Sequence, residues 1–338
     1  MCGIAGCVSL DGRPVDVRLV ERMVASLGHR GPDGTGVFDG GSAVLGHTRL
    51  ALMDLTGGHQ PMGNEAGDVM VAFNGEIYNF ATLRNELMLL GHHFATRADT
   101  EIIPHAFEQW GGSAVERLRG MFAFALWEAK PQRLTLVRDR LGIKPLYYAV
   151  VDQLLLFSSE IKAILAVDRI EPRVDPVALH DYLSLLGPLA PQTLFSTVRA
   201  LEPGTLLTVA DGHLRMRRYW EPRWQNEDRI DVHQAEELLE ERLQDVLRDQ
   251  VVADVPVGAF LSGGIDSSLL VSFLAGSGRN ALETFTVGFD ERDYDESSFA
   301  QQVARRFATH HHELRIGRDA ASGDHPRCAR SLRPAVCR

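Results

Sequence analysis

The sequence predicts two successive domains: a β-rich, layered α+β domain followed by an α/β domain on a parallel sheet. Three observations carry this. Across residues 1–170, short apolar or alternating runs are divided by Gly, Pro, Asp and Lys, the pattern of strands and turns. Beyond about residue 235, strand-like and helix-like segments alternate, which calls for parallel strands joined by crossover helices. At 338 residues the chain exceeds one ordinary domain, and each of two has enough length to bury its own core.

In chain order, "DVMVAFNG", "GMFAFALWEA", "RLTLVRD", "PLYYAV" and "QLLLFSS" read as strands. "ATLRNELMLLG" and "TEIIPHAFEQWGG" read as helices, each stopped by glycine. From residue 171 to 235, "EPRVDP", "LGPLAPQ" and "LEPGT" set Pro and Gly at turns, so a connecting region with some short strands is expected. The boundaries follow as a first domain with its connecting segment over 1–220, a linker over 221–235, and a second domain over 236–316. Within the second domain, "HQAEELLEERLQDVLRDQVV" puts Leu239, Leu243, Val246 and Leu247 on one helical face. "VPVGAFL", "TFTVGF" and "HELRI" then read as strands, "SLLVSFLAG" and "DESSFAQQVARRFA" as helices. The tail over 317–338 has no period and is rich in Arg, Ala, Pro and Cys; it reads as truncated, frameshifted or disordered.

A net charge of −10 argues against a nucleic-acid partner held by phosphate neutralisation. No apolar run of membrane-spanning length and no signal peptide occur, so neither a membrane partner nor export is expected, and the cytoplasm is the expected compartment. Four scattered cysteines make neither a disulfide framework nor a zinc site.

The start, "MCGIAG", places a thiol behind the initiator Met. Were Met1 removed, Cys2 would hold a nucleophilic sulfur and an α-amine, pKa about 7.7–8.0, suited to act as its general base. On the same strand, Cys7 reads as a small buried residue. "FNGEIYN" offers the Asn74 amide and the Gly75 N–H as an oxyanion hole, "GHTRLALMD" offers Arg49 for a carboxylate, and "RADTEII" offers Asp99 for an ammonium. Together these groups describe glutamine. Singly, Arg49 reads equally as surface charge, Asn74–Gly75 as a turn and Asp99 as a helix cap.

"MCGIAG", "HRGPDG", "GHTRLA", "FNGEIYN", "DTEII", "GMFAFALWE", "RDRLGIKPLYY" and "SSEIKAIL", in this order, resemble the class II glutamine amidotransferases with an N-terminal nucleophile, specifically the asparagine synthetases. The resemblance covers most of residues 1–316. It implies a four-layer αββα glutaminase sandwich, with Cys2 as nucleophile and Asn74 and Gly75 as oxyanion hole. It further implies that Arg49, Glu76 and Asp99 hold glutamine, that Leu50, Ala51, Leu52 and Met53 line the same pocket, and that the His29–Asp33 loop belongs to the glutamine site.

In the second domain, "FLSGGIDSS" lies between a strand and a helix. Gly263 and Gly264 allow a tight turn, Ser262, Ser267 and Ser268 supply hydroxyls, and the helix start directs N–H groups at an anion. No Lys follows, so it is not the loop of a γ-phosphoryl transferase. Asp266 suits Mg2+, which prefers oxygen ligands and bridges to phosphates. The loop resembles the pyrophosphate loop of ATP pyrophosphatases. That likeness implies an ATP site over Leu261, Ser262, Gly263, Gly264, Ile265, Asp266, Ser267 and Ser268, with Val287 near the base and ribose. His310–His312 alternate across a strand, cannot converge on one ion, and read as solvated edge residues.

The implied reaction uses glutamine, aspartate and Mg-ATP. Cys2 releases ammonia through a thioester, the aspartate carboxylate is adenylated, and ammonia crosses an interdomain channel to give asparagine, AMP and pyrophosphate. A homodimer is the implied assembly. Because nothing in the tail matches the family's later acidic Gly-rich loop, the chain is expected to retain only the glutaminase step. The alternatives are an amidotransferase with a different acceptor, such as a lactam-forming or a peptidoglycan- or capsule-amidating enzyme, and a non-catalytic fragment.

Overall fold

The computed structural model describes residues 1–223, 230–276 and 282–317. The chain divides into two compact units, Met1–Gln225 and Asn226–Arg338. The expectations for the tail, including Cys328 and Cys337, and part of the expected linker lie outside the described residues.

In the first unit the elements follow as β1 (Gly3–Ser9), α1 (Val17–Ala25), β2 (Gly34–Asp39), β3 (Ala43–Arg49), β4 (Met62–Gly63) and β5 (Val69–Ile77). Then come α2 (Phe80–Leu89), α3 (Ile102–Trp110), α4 (Ala114–Arg117), β6 (Gly120–Glu128), β7 (Arg133–Arg138), β8 (Tyr147–Val151) and β9 (Leu154–Ser158). The unit closes with α5 (Ile161–Leu165), α6 (Pro176–Leu185), β10 (Arg199–Ala200), β11 (Thr205–Ala210) and β12 (His213–Arg218). Two antiparallel six-stranded sheets result, ordered β10-β8-β9-β1-β3-β2 and β12-β11-β7-β6-β5-β4.

Strand alternation explains the layering, because successive side chains leave opposite faces of a sheet. On β1, Ile4 and Val8 join Leu155, Phe157, Trp127, Leu136 and Leu207 in a core that includes residues of both sheets. Ala5 and Cys7 point the other way, into a second core with Val20, Met23 and Ile164 from α1 and α5. Phe73, Phe122 and Phe124 cluster with Leu83 and Leu87 of α2 and Ile102 and Phe107 of α3. Three apolar layers between four structural layers make the αββα sandwich. Burial accordingly pushes the Cys7 thiol up to about 12, so it behaves as a small apolar group.

The connecting region is more ordered than its turn residues suggest. β11 pairs with β7 and β12 pairs with β11, extending the second sheet. Asp175 accepts from the N–H groups of Val177 (2.9 Å) and Ala178 (3.2 Å), and Pro176 opens α6. This is an N-cap followed by proline at the first helical position.

The second unit runs α7 (Val232–Gln250), β13 (Gly258–Phe260), α8 (Ile265–Gly276), β14 (Glu283–Phe289), α9 (Ser297–Arg306) and β15 (His310–Ile316). Its sheet is parallel in the order β13-β14-β15 with a helix between successive strands, the α/β architecture expected. Helix α7 carries an Asp231–Gln234 capping box, but no residue on it is buried, Leu239 and Val246 included. The amphipathic stripe read from sequence therefore has no full cover among the described residues. None of the described helices is long and apolar enough to cross a membrane.

Candidate active site

One cavity in the first unit brings together Cys2, Arg49, Leu50, Leu52, Met53, Asn74, Gly75, Glu76 and Asp99. Each arrives from a separate place: the entry to β1, the end of β3 and its following loop, the end of β5, and the single 3-10 turn Asp99–Glu101 before α3. Ala51 does not line it. Its N–H donates to Asp33 Oδ2 at 2.9 Å, so Ala51 ties the His29–Asp33 loop to the cavity wall instead.

Cys2 Sγ accepts from the Leu50 N–H at 3.3 Å and lies 3.6 Å from the Leu50 carbonyl oxygen. Burial pushes its thiol upward, opposed by the Leu50 backbone and the positive terminus of the chain. The Asn74 side chain is buried, and its Nδ2 makes no hydrogen bond within the protein, an orphaned donor beside a cavity. Gly75 is required by close approach. A Cβ there would sit 2.2 Å from Met121 O and 2.7 Å from Phe122 Cα, both backbone atoms of β6.

Two carboxyls share the cavity. Glu76 is pushed up to about 8, by burial first and by the facing Asp99 second, while nearby Lys144 opposes the shift. Burial raises Asp99 to about 6 against the Ile77 N–H, which donates to Oδ2 at 2.7 Å. Burial thus works against both carboxyls carrying charge at once. Arg49 does more than line the wall: it donates to the carbonyls of Leu55 (3.2 Å), Met53 (3.2 Å) and Asp54 (2.6 Å), shaping the loop after β3. Guanidinium has five N–H donors, so donors remain for a carboxylate.

Sequence reasoning gave no individual role to several residues around the site, although their motifs stood out and the His29–Asp33 loop as a whole is expected there. Arg30, from "HRGPDG", donates from Nε to the Cys2 carbonyl (2.8 Å) and from Nη1 to Glu160 of "SSEIKAIL" (2.9 Å). His29 and Lys162 meet the same Glu160 at 2.9 and 3.2 Å. Lys144, from "RDRLGIKPLYY", lines the cavity, and its Nζ lies 3.6 Å from Met1 Sδ. The buried Asp139 carboxylate fixes that segment by accepting from the N–H groups of Phe122 (3.1 Å), Leu141 (3.1 Å), Ile143 (2.9 Å) and Lys144 (2.9 Å).

In the second unit, Leu261–Gly264 form the turn between β13 and α8, and Ile265–Ser268 open α8, at the carboxyl end of the sheet, where open α/β sheets bind ligands. Gly263 has φ +83°, and an added Cβ would lie 2.5 Å from Phe299 Cβ, so both conformation and space demand glycine. Ser262 Oγ lies 3.0 Å from Ser267 Oγ and accepts from the Gly264 N–H at 3.3 Å. Ile265 and Asp266 are exposed in the first turn of α8, where helical N–H groups lack internal partners. The donor set of hydroxyls, amides and one exposed carboxylate fits a phosphate group with Mg2+, an ion held through few carboxylates and substrate oxygens. Leu261 lies buried in the unit's core, leaving its backbone rather than its side chain to a ligand; Val287, on β14, is 40% exposed. Of the histidines of β15, His310 and His312 are exposed as expected of solvated edge residues, whereas His311 is half-buried, with its Nε2 buried and unpartnered. Glu283 receives both His310 Nδ1 (3.0 Å) and His312 Nε2 (2.6 Å), while His311, on the other face, meets Thr284 Oγ1 at 3.0 Å.

Comparison with known proteins agrees with this layout. A family model described as a glutamine amidotransferase domain matches residues 1–220, and one described as asparagine synthase matches residues 238–335. The chain is 36% identical over 335 residues to asparagine synthetase (glutamine-hydrolyzing) 3 of Bacillus subtilis, spanning 94% of this chain and 54% of that protein. It is 35% identical over 312 residues to asparagine synthetase (glutamine-hydrolyzing) 1 of the same organism, spanning 90% of this chain and 48% of that one. The chain thus spans about half the length of these relatives. Among solved structures, glutamine phosphoribosylpyrophosphate amidotransferase of B. subtilis superposes with a TM-score of 0.52 at 17% identity, covering 97% of this chain and 94% of that one, a likeness of fold alone.

Proposed function

The chain belongs to the glutamine amidotransferase family, and from that premise we propose that its first unit hydrolyses glutamine through Cys2. We further propose that its second unit uses ATP to activate the carboxylate that receives the ammonia, aspartate being the acceptor. The observation that carries the first part is one cavity holding a thiol, an orphaned buried amide donor and two carboxyls, Glu76 and Asp99.

Glutamine's α-ammonium pairs with Asp99 and Glu76, and its α-carboxylate with the donors left on Arg49. These contacts set the side-chain amide against the Cys2 sulfur, which the Leu50 N–H orients. With Met1 removed, the Cys2 α-amine takes the thiol proton as sulfur attacks the amide carbon. The tetrahedral oxyanion is met by Asn74 Nδ2, which gains its missing partner only then, and by the Gly75 N–H. Collapse, with the Cys2 α-ammonium returning its proton to the departing nitrogen, expels ammonia and leaves a thioester, which water opens to glutamate and the free thiol.

In the second unit, the Ser262–Gly264 turn and the α8 start through Ser268 receive ATP phosphates, Asp266 holds Mg2+, and the backbone at Leu261 with Val287 receives base and ribose. Mg2+ when bound neutralises phosphate charge; the hydroxyls and amides of this turn orient the pyrophosphate that leaves.

Glutamate release from glutamine by the purified full chain tests the first part. Turnover that survives Cys2→Ser, or active protein whose intact mass still includes Met1, overturns it. Aspartate-dependent pyrophosphate release tests the second, and pyrophosphate released only with another carboxylic acid would reassign the acceptor.

A further inference from the structure

Around α3, among residues that do not line the Cys2 cavity, lies a cluster of two imidazoles and two carboxylates. His105 sits in the body of α3 with its side chain 1% exposed, and neither ring nitrogen makes a hydrogen bond within the protein. Its Nδ1 faces Glu65 Oε2 at 3.5 Å and Glu108 Oε2 at 3.9 Å. His92 Nδ1 approaches the same Glu108 oxygen at 3.6 Å. Among the described residues, one ligand atom each from His92, His105 and Glu108 falls within a 4.8 Å span.

We propose that His92, His105, Glu108 and Glu65 form a structural site for a divalent transition-metal ion of the Zn2+ class. A tetrahedral Zn2+ with bonds of about 2.0–2.2 Å spaces its ligand atoms about 3.4 Å apart. His92–Glu108 at 3.6 Å and His105–Glu108 at 3.9 Å lie near that spacing within a trio spanning 4.8 Å, and Glu65 joins it through its 3.5 Å approach to His105. Imidazole with carboxylate is a borderline donor set that suits Zn2+ and its neighbours better than the all-oxygen shells of Ca2+ or Mg2+. Two carboxylates balance the ion's double charge.

The outer contacts agree with the inner ones. His92 Nε2 lies 3.0 Å from Gln109 Oε1, an acceptor, which places the proton on Nε2 and leaves the Nδ1 lone pair facing the cluster. His105 Nε2 faces Glu101 Oε1 at 3.8 Å, the carboxylate–histidine–metal arrangement that orients a ligating imidazole. Glu101 is itself anchored by the N–H groups of Ala95 and Thr96, each at 2.7 Å. Glu65 Oε1 accepts from the His93 N–H at 2.8 Å, which frees Oε2 for the ion. The ion would staple α3 to the turn after α2 and to the loop between β4 and β5.

The full chain, stripped with EDTA, is titrated with Zn2+ by calorimetry and with Co2+ by its visible absorption. The expected result is one saturable site in the micromolar range or tighter, with a raised Tm. Glu65→Gln and Glu108→Gln, both at the accessible rim, should each weaken binding about tenfold or more. Cys2→Ser and the double variant His310→Asn/His312→Asn should leave it intact. His105 is kept, since emptying a buried position confounds folding with binding. No saturable binding at micromolar Zn2+, rim variants that bind as tightly as the unaltered protein, or loss of the site in Cys2→Ser or the β15 double variant overturns the proposal.

Discussion

Arg30 Nε lies 2.8 Å from the carbonyl oxygen of Cys2, and the same guanidinium is held by Glu160 at 2.9 Å. Side chains at positions 30 and 160 thereby add to the backbone pairing of β1, where Gly3 lies opposite Thr48, in fixing the start of the chain. Arg30→Ala should lower kcat for glutamine hydrolysis by about 10²-fold, since misplacing a nucleophile by about 1 Å has that effect. Arg30→Lys should recover little, because one ammonium cannot reproduce two directed N–H bonds. Steady-state rates check both, and an Arg30→Ala protein with near-normal kcat would refute the positioning role.

Asn74 Nδ2 is an unsatisfied buried donor in the ground state. Asn74→Ala should therefore reduce kcat about 10²–10³-fold while leaving KM for glutamine nearly unchanged, the signature of a bond made in the transition state. A matching rise in KM would instead make Asn74 a substrate-binding residue.

The Glu76–Asp99 pair predicts a pH dependence of binding. Glutamine's ammonium favours both ionised carboxylates, so binding expels a proton. KM should climb as pH falls from about 8 toward about 6, the values to which the two groups are raised. Calorimetry in buffers of different ionisation enthalpy should detect proton release. A KM that stays level over this interval would contradict the pairing.

The same shifts act on stability, with opposite signs at the two ends of the scale. Glu76 and Asp99 are raised, so their contribution is complete below the ordinary carboxylate range and is lost as pH rises through about 6 and then about 8. Glu160 is lowered to about 2: burial opposes this, but Arg30, His29 and Lys162 prevail. Its contribution is present above the ordinary range and is lost as pH falls toward about 2. The Tm of the substrate-free protein should decline on both sides of mildly acidic pH, and Glu76→Gln should flatten the alkaline side.

Phe124 is fully buried, with Phe107 and Phe122 rings 5.8 and 5.7 Å away. Phe124→Ala should destabilise the first unit by about 3–5 kcal/mol, through lost transfer energy and the cavity left behind. Urea unfolding followed by tryptophan fluorescence measures it.

Legibility differed from element to element. "GMFAFALWEA" and "TFTVGF" became β6 and β14 because their apolar periods already state which faces are covered. β2 and β3 went unassigned because "GHTRLALMD" drew attention as chemistry, although its first half is a strand. α6 hid among turn residues, yet Asp175–Pro176 is a helix start signal. Arg30, Lys144 and Glu160 stood inside motifs without a role, since a charged side chain names no partner until the chain has folded.

The order of apolar runs and glycines determined the two-unit architecture, and the residue types in a few motifs singled out a thiol, an amide, a guanidinium and a carboxyl as candidates for one site. Only the tertiary structure decided that Ala51 faces Asp33, that Arg49 also holds its own loop, and that His105 meets Glu65 across 40 positions of sequence. The reason is physical. Periodicity encodes which face of an element is buried, whereas hydrogen bonds and ion pairs depend on distances of a few ångströms between segments that only the closed sandwich brings together.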